Sequence, residues 1–312
     1  MTTINSFAEF NLRLREFISD QSSGQSNEII FNTLALYLFA LQIESVLPYK
    51  KFCQSRNVSP KTISHWHEIP AVPTSVFKDL EISSLPQKER THVFHSSGTT
   101  GQNPSRHFHN SESLSIYEAS LLTWFQKYFL SDLPGLCKKE IIGTLEKPVF
   151  IFLTPNPEGA PNSSLVYMFE TLREELGSRD SFFAGKVAND KSWSVDLDQL
   201  FSGLRESISA NRPVAILGTA FSFVHLLAHF AENNISCKLA AGSRVLETGG
   251  YKGRSREMPK SELHSLIAKH LGIPASHIIC EYGMSELSSQ AYTSGTQNSE
   301  FKIQNCFRFP PW

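Results

Sequence analysis

Cysteine is sparse in this chain, and its spacing excludes two classes of protein at once. Cys53, Cys137, Cys237, Cys280 and Cys306 are odd in number, lie far apart and form no Cys-x-x-Cys pair. Neither a disulfide framework nor a zinc ribbon is expected, and a reducing cytoplasm fits best. Excess charge is also missing: the formal net charge is -1 at pH 7 and the pI is about 6.8. No global field draws the chain to nucleic acid or to an anionic lipid surface. Long apolar runs are absent too. The most apolar stretch, Leu34 to Leu47, contains Gln42 and Glu44 and is too short to span a bilayer. No signal peptide opens the chain. Phe7, Phe10, Leu14, Phe17 and Ile18 instead recur at helical spacing among Glu9, Arg13, Arg15 and Glu16, the pattern of an amphipathic helix.

Several catalytic signatures are lacking as well. No Gly-x-Gly-x-x-Gly follows a strand, which argues against a Rossmann dehydrogenase. No Gly-x-Ser-x-Gly elbow marks a serine hydrolase. His225 and His229 stand one helical turn apart without the glutamate of a zincin. His65, His67, His92, His95, His107 and His109 cluster in sequence, but no matching Cys or Asp spacing accompanies them, and no metal site is expected there.

What the chain does have is phenylalanine, 23 of them in 312 residues, and an alternation of short apolar runs with helical patterns. The phenylalanines suit an aromatic core or an apolar ligand. Helices are expected over roughly 4–20 and 27–48. A loop-rich stretch from Asn57 to Leu85 follows, where Pro60, Pro70 and Pro73 exclude one long helix. His92 to Phe94 reads as a strand, 112–130 as a helix, and 149–153 as a buried strand. Helices at 163–176, 196–210, 220–232 and 260–271 then alternate with strands at 214–217, 244–248 and 277–282. The last helix is expected to be capped at or near Ser261 and stopped by Gly272 and Pro274. Strands separated by helices make an α/β layer fold with a largely parallel sheet. One domain over 1–312 is expected, with a helical region at 1–90 and a binding core at 91–312. Ligands in such sheets bind beyond the carboxyl ends of the strands, where the glycines at 218, 249, 250 and 283 are expected to form turns.

Two segments carry the chemistry. Ser96-Ser97-Gly98-Thr99-Thr100-Gly101 combines small residues, two glycines and four hydroxyls. Such a loop can turn backbone N–H groups inward around a polyphosphate. It lacks the Gly-Lys-Ser/Thr ending of a Walker A loop. On composition alone a flexible turn is the commoner outcome. Glu281-Tyr282-Gly283-Met284-Ser285-Glu286 follows an expected strand and ends in a carboxylate suited to a hard divalent cation. A third segment, Leu246-Glu247-Thr248-Gly249-Gly250, places a glycine pair at a strand end, and by itself this is no more than a tight turn.

The first segment resembles the phosphate loop of adenylate-forming enzymes, and the second resembles their Tyr-Gly-x-Thr/Ser-Glu motif. The resemblance implies the fold of that superfamily's large N-terminal domain, with ATP and Mg²⁺ as cofactors. It implies that Ser96, Ser97, Gly98, Thr99, Thr100 and Gly101 hold the phosphates. Tyr282 and Gly283 would lie against the adenine with Gly249 and Gly250. Ser285 would approach the α-phosphate, and Glu286 would hold the metal. In the same superfamily the turn at Gly218-Thr219 borders the acid pocket, which assigns substrate contact to Gly218, Thr219, Phe221 and Phe223. Those phenylalanines, with Val224 and Leu227, read equally well as an acyl tunnel or as ordinary core.

Ile69-Pro70-Ala71-Val72-Pro73-Thr74-Ser75-Val76-Phe77-Lys78 narrows the resemblance, as does the run Thr248 to Glu257. Both are similar to LuxE-type acyl-protein synthetases, over nearly the whole chain. That family activates a fatty acid to its acyl-adenylate, passes the acyl group to a cysteine thiol and delivers it to an acyl-reductase partner. Many superfamily members carry Lys after the loop, in Gly-x-Pro-Lys; here Pro104 is followed by Ser105 and Arg106. Arg106 is expected to take over the charge neutralisation. The family's C-terminal segment, with its ribose-binding Asp and acyl-accepting Cys, is expected to be missing after Trp312, and Cys306 is expected to be a buried structural thiol. Three readings follow: an acyl-protein synthetase, a CoA ligase acting on a smaller acid, and a nucleotide-binding module without catalysis.

Overall fold

A computed structural model describes residues 6–20, 25–96, 103–130, 147–189, 192–249, 258–293 and 306–312. The chain forms two compact units. The first comprises residues up to Thr123 with Met284–Ser289 and Pro310–Trp312; the second comprises Trp124–Gly283 with Gln290–Phe309.

In the first unit, α1 (Phe7–Ser19) begins at Ser6, whose side chain accepts from the Glu9 N–H and satisfies one of the helix's unpaired donors. Its buried residues Phe10 and Phe17 pack with Leu34 of α2 (Gln25–Ser45). The short helix α3 (Leu47–Ser55) turns back after Val46, and Phe39, Ile43, Val46, Tyr49 and Cys53 form a core of their own. The Tyr49 hydroxyl donates to the Pro70 carbonyl at 2.9 Å and pins the proline-rich stretch to this core. That stretch holds one helical turn, α4 (Val76–Asp79). Among the described residues no single helix is long and apolar enough to cross a membrane; α2 and α3 together pass that test on composition, but the pair bends by 109°.

Next, β1 (His92–His95) and β2 (Arg106–His109) pair antiparallel, with His92 opposite His109 and His95 opposite Arg106. The second strand was not expected from sequence, whereas the helix expected over 112–130 is present as α5 (Ser111–Phe125). The strand's Arg-His-Phe-His sequence buries the two histidines, and histidine is a weak apolar signal to a pattern reader. Helix α5 runs into a π-helical turn, Gln126–Leu130.

The second unit is built on seven strands: β3 (Val149–Phe152), β4 (Phe182–Phe183), β7 (Val214–Thr219), β8 (Arg244–Thr248), β9 (Ile278–Met284), β10 (Ser289–Thr293) and β11 (Phe307–Arg308). Their order is β11-β10-β9-β8-β7-β3-β4, with parallel pairing from β9 across to β4. A separate two-stranded ribbon pairs β5 (Gly185–Val187) with β6 (Trp193–Val195). Four helices accompany the strands: α6 (Ser164–Glu175), α7 (Leu197–Ser209), α8 (Ala220–Glu232) and α9 (Lys260–Leu271). Every residue of β3 and β8 is buried, as strands covered on both faces require.

Residue alternation splits the core by face. Val149, Ile151, Val214, Ile216, Val245 and Ile278 point into one cluster with α7, α8 and α9. On β3 the alternate residues Phe150 and Phe152 meet an aromatic layer: Phe152 stacks on Phe169 at 5.0 Å and on Phe183 at 4.7 Å, and Phe125 meets Phe150 edge-on at 6.1 Å. Each such buried ring contributes roughly 1.5–3 kcal/mol. Helix α9 starts after Pro259 with no side-chain cap, not at Ser261, and ends at Gly272 in the left-handed conformation, φ 64°.

Gly185 sits so close to the end of β3 that a Cβ there would lie 2.0 Å from the Thr154 carbonyl carbon. Gly185→Ala should therefore cost about 1–3 kcal/mol in overpacking. At Gly159 the nearest atoms to an added Cβ are side chains at 3.1 Å. Gly159→Ala should shift the urea midpoint much less, and equal midpoint shifts for the two variants would contradict this packing.

Candidate functional site

In the first unit Glu286 is held by the β1–β2 hairpin. It lies in a tight turn closed by a Leu287 N–H to Met284 carbonyl bond at 3.0 Å. Ser288, next in the chain, has φ 48°, a left-handed conformation that non-glycine residues seldom adopt. The Ser105 hydroxyl, fully buried, donates to Glu286 Oε1 at 2.6 Å. His107 Nε2 lies 3.0 Å from the same hydroxyl and 3.8 Å from Glu286. With the Ser105 hydroxyl donating to the carboxylate, this hydrogen-bond pattern assigns the His107 proton to Nε2, donating to Ser105 Oγ. Burial holds the His107 pKa below its ordinary value against the opposing pull of Glu286, and pushes His109 down to about 4. The His107 imidazole beside the Glu286 carboxyl group is therefore neutral near pH 7.

In the second unit a different polar group gathers where β8 and β9 run side by side. Glu247 is fully buried and lies 3.5 Å from Lys260 and 3.4 Å from His264, both on α9. Its neighbour Thr248 donates to the buried Glu281 carboxyl group. Burial raises the Glu281 pKa to about 7, Thr248 opposes that rise, and Glu247 adds to it. The Cys280 thiol is pushed up to about 12, first by burial and then by Glu247. Beyond these buried groups the strand emerges: Tyr282 is 41% exposed. Its ring lies 5.6 Å from that of Phe307 and 6.1 Å from that of Phe309, an aromatic surface able to take a flat ligand.

A family model, that of the LuxE acyl-protein synthetases, matches residues 17–302. The chain belongs to the LuxE acyl-protein synthetase family. No curated protein matches this LuxE-family chain. Among solved structures it is similar to 2-hydroxyisobutyryl-CoA ligase in its postadenylation state in complex with R3-HIB-AMP. The TM-score is 0.53 and the identity 12%, covering 92% of this chain and 51% of that one. A second, at TM-score 0.40 and 14% identity, is McyG A-PCP complexed with phenylalanyl-adenylate, covering 84% of this chain and 41% of that one. The LuxE-family chain has the fold of adenylate-forming enzymes and spans about half the length of the ligase it resembles.

The residues named from sequence fall into three groups. Ser96 is described, and its hydroxyl accepts from the Ser105 N–H at 3.0 Å. Ser97, Gly98, Thr99, Thr100, Gly101 and Gly250 lie outside the described residues. A second group sits at strand ends or turns. Arg106 is exposed on β2; Gly249 follows β8 with φ 76°, a conformation glycine adopts freely; Gly283 is exposed near the end of β9; and Ser285 is half-buried in the turn that carries Glu286. The third group does structural work. Gly218 is a strand residue, not a turn, and a Cβ there would press on Leu153 at 2.8 Å. Thr219 caps α8 by accepting from the Ser222 N–H. Phe223 and Leu227 are packed in the core at 1% and 5% exposure, whereas Phe221 is half-buried against His225. Cys306 is exposed, not buried. His107 was named from sequence only as a member of the histidine cluster, and Ser105, Phe307 and Phe309 were not named as binding candidates. The available signal for Ser105 was its position where relatives carry the loop lysine.

Glu281 makes a pH prediction. Its folded pKa of about 7 lies above the ordinary 4.5, so folded chains keep a proton that unfolded chains lose. Its contribution to stability is greatest below about pH 4.5, falls as the pH rises and levels off above about 7. Glu281→Gln should remove a loss on the order of 3 kcal/mol across that window. His109, with its lowered pKa, acts in the opposite sense, so the quantity to measure is the urea-unfolding difference between variant and parent. A difference independent of pH would show that Glu281 titrates normally.

Proposed function

We propose that this chain activates a carboxylic acid with ATP, forming an acyl-adenylate, and passes the acyl group to a protein cysteine thiol. A long-chain fatty acid is the substrate of this reading, and a cytoplasmic acyl-reductase is the downstream partner. One observation supports it most: the Ser105–Glu286 hydrogen bond, which ties the residue just before β2 to the last residue of the 281–286 motif across 181 residues of sequence. Ser105 and Glu286 both belong to the first compact unit. Family membership supports the same reading.

The chemistry asks little of acid–base catalysis. The carboxylate oxygen attacks the α-phosphorus, the new oxygen–phosphorus bond forms, and the bond to the β-phosphate bridge breaks with pyrophosphate leaving. The nucleophile is already ionised, so the protein's task is alignment and charge stabilisation. Among the described residues no three His, Cys, Asp or Glu are grouped to hold a metal by themselves. Mg²⁺ is usually bound through one or two carboxylates with substrate phosphates completing its shell. Glu286 is the carboxylate for it, and Mg²⁺ there would neutralise developing phosphate charge. Ser105 orients Glu286, His107 holds Ser105, and Arg106 adds a cation at the protein surface. In the second step the thiolate attacks the acyl carbon, a thioester forms and AMP leaves. Cys53, Cys237 and Cys280 are poor acceptors, because burial raises each thiol's pKa.

Acid-dependent exchange of pyrophosphate into ATP tests the first step. Exchange should occur with fatty acids, and Glu286→Ala should lower it by about 10²–10³-fold, the typical loss for a group stabilising transition-state charge. Ser105→Ala should lower it by about tenfold, the equivalent of one hydrogen bond. A folded, ATP-binding chain with no exchange for any acid is a nucleotide-binding module and ends this reading. Turnover that requires CoA and leaves no thioester on protein would replace the acceptor assignment.

A further inference from the structure

The first unit contains a cavity of about 760 Å³, walled by α1, α2, the proline-rich stretch, β2 and the start of α5. That volume falls in the range of about 300–1,000 Å³ typical of small-molecule sites. Its charged lining is of one sign: Glu89, Glu112 and Glu286 reach the wall, and no lysine or arginine does. Glu112 is half-buried in the first turn of α5, and Glu89 is exposed. Neither forms a salt bridge among the described residues. A carboxylate withdrawn from water without a counter-charge is costly, so such a wall is completed by a cation.

A second feature points to the same kind of ligand. His109 is 7% exposed and stands on the cavity wall, and its Nε2 has no hydrogen-bond partner. The Ser113 hydroxyl donates to the Asn110 carbonyl at 3.2 Å, so the His109 Nδ1–H donates to Ser113 Oγ at 3.2 Å and Nε2 keeps a free lone pair. Burial keeps this imidazole neutral, and it offers an acceptor, not a charge. An ammonium N–H is the donor it lacks. Phe10 and Phe77 add rings whose faces attract cations and the methylenes beside them. The acidic groups are also spread around the wall: among the described residues no three His, Cys, Asp or Glu gather to hold a metal ion. An extended ligand with several separated positive charges matches that spacing better than a single ion.

We propose that this first-unit cavity binds an aliphatic polyamine, with ammonium groups at Glu89, Glu112 and His109 Nε2 and methylenes along Phe10, Leu38 and Phe77. The site rests on the cavity lining alone. It requires neither ATP nor the acid-activating reading.

Spermidine titrated calorimetrically into the full chain, without ATP or Mg²⁺, tests the site. One spermidine should bind per chain. Octanediol, an uncharged chain of similar length, should bind at least about tenfold more weakly, the equivalent of one hydrogen bond to a charged group. Glu112→Gln should weaken spermidine by a similar factor. So, independently, should Ala71→Trp, which fills the cavity from an exposed position on its wall. Glu158→Gln, which removes an exposed acid of the second unit, should leave the affinity unchanged and controls for general attraction to carboxylates. A parent chain that does not bind spermidine overturns the proposal. So does equal affinity for octanediol, or binding that neither Glu112→Gln nor Ala71→Trp weakens. The outcomes separate from those of the activation reading: spermidine binding without pyrophosphate exchange removes the reaction and keeps the site, and exchange without spermidine binding does the reverse.

Discussion

Burial of parallel strands on both faces is the constraint from which the second unit's arrangement follows. With β3 and β8 fully enclosed, every side chain along them must either pack or find an internal partner. The phenylalanines of β3 answer that demand on one face with an aromatic layer. The aliphatic residues answer it on the other with α7, α8 and α9. Polar residues placed in the same strands are forced into mutual contact. Glu247 meets Lys260 and His264, and Thr248 donates to Glu281. Only where β9 emerges do Tyr282 and Gly283 become exposed, so chemistry that needs a ligand is confined to the strand ends.

The two carboxyl groups of the 281–286 motif illustrate how environment separates identical side chains. Glu281 is enclosed among strands, shares its surroundings with another glutamate, and is raised toward neutrality. Glu286 sits five positions later in a tight turn, where the buried Ser105 hydroxyl holds one of its oxygens and His107 in turn holds that hydroxyl. The first is enclosed among strands of the second unit, whereas the second borders a cavity of the first. The boundary between the compact units falls inside this motif, after Gly283, which assigns the two glutamates to different units.

The motifs were legible in sequence because they are local. Ser96 to Gly101, Glu281 to Glu286 and the Gly249–Gly250 step could be named as small-residue loops and strand-end carboxylates. The helices at 163–176, 196–210 and 220–232 were visible as well, since periodicity and caps such as Ser163, Asp196 and Thr219 are written in consecutive residues. Short strands such as β4, β5 and β11 were invisible, because two or three residues carry no period.

By itself the sequence determined the α/β class, the alternation of the longer strands and helices, and the resemblance that the LuxE family match bears out. Each depends on neighbouring residues or on motif order. Only the tertiary structure decided which residues far apart in sequence share a site. It joined Ser105 to Glu286, placed Phe307 and Phe309 beside Tyr282, and buried Glu281 against Thr248. It also turned Gly218 and Phe223 into packing residues and left open space among the N-terminal helices. Residue type indicates what a side chain is able to do, whereas burial and partners, which arise from contacts between distant segments, set which of those abilities it expresses.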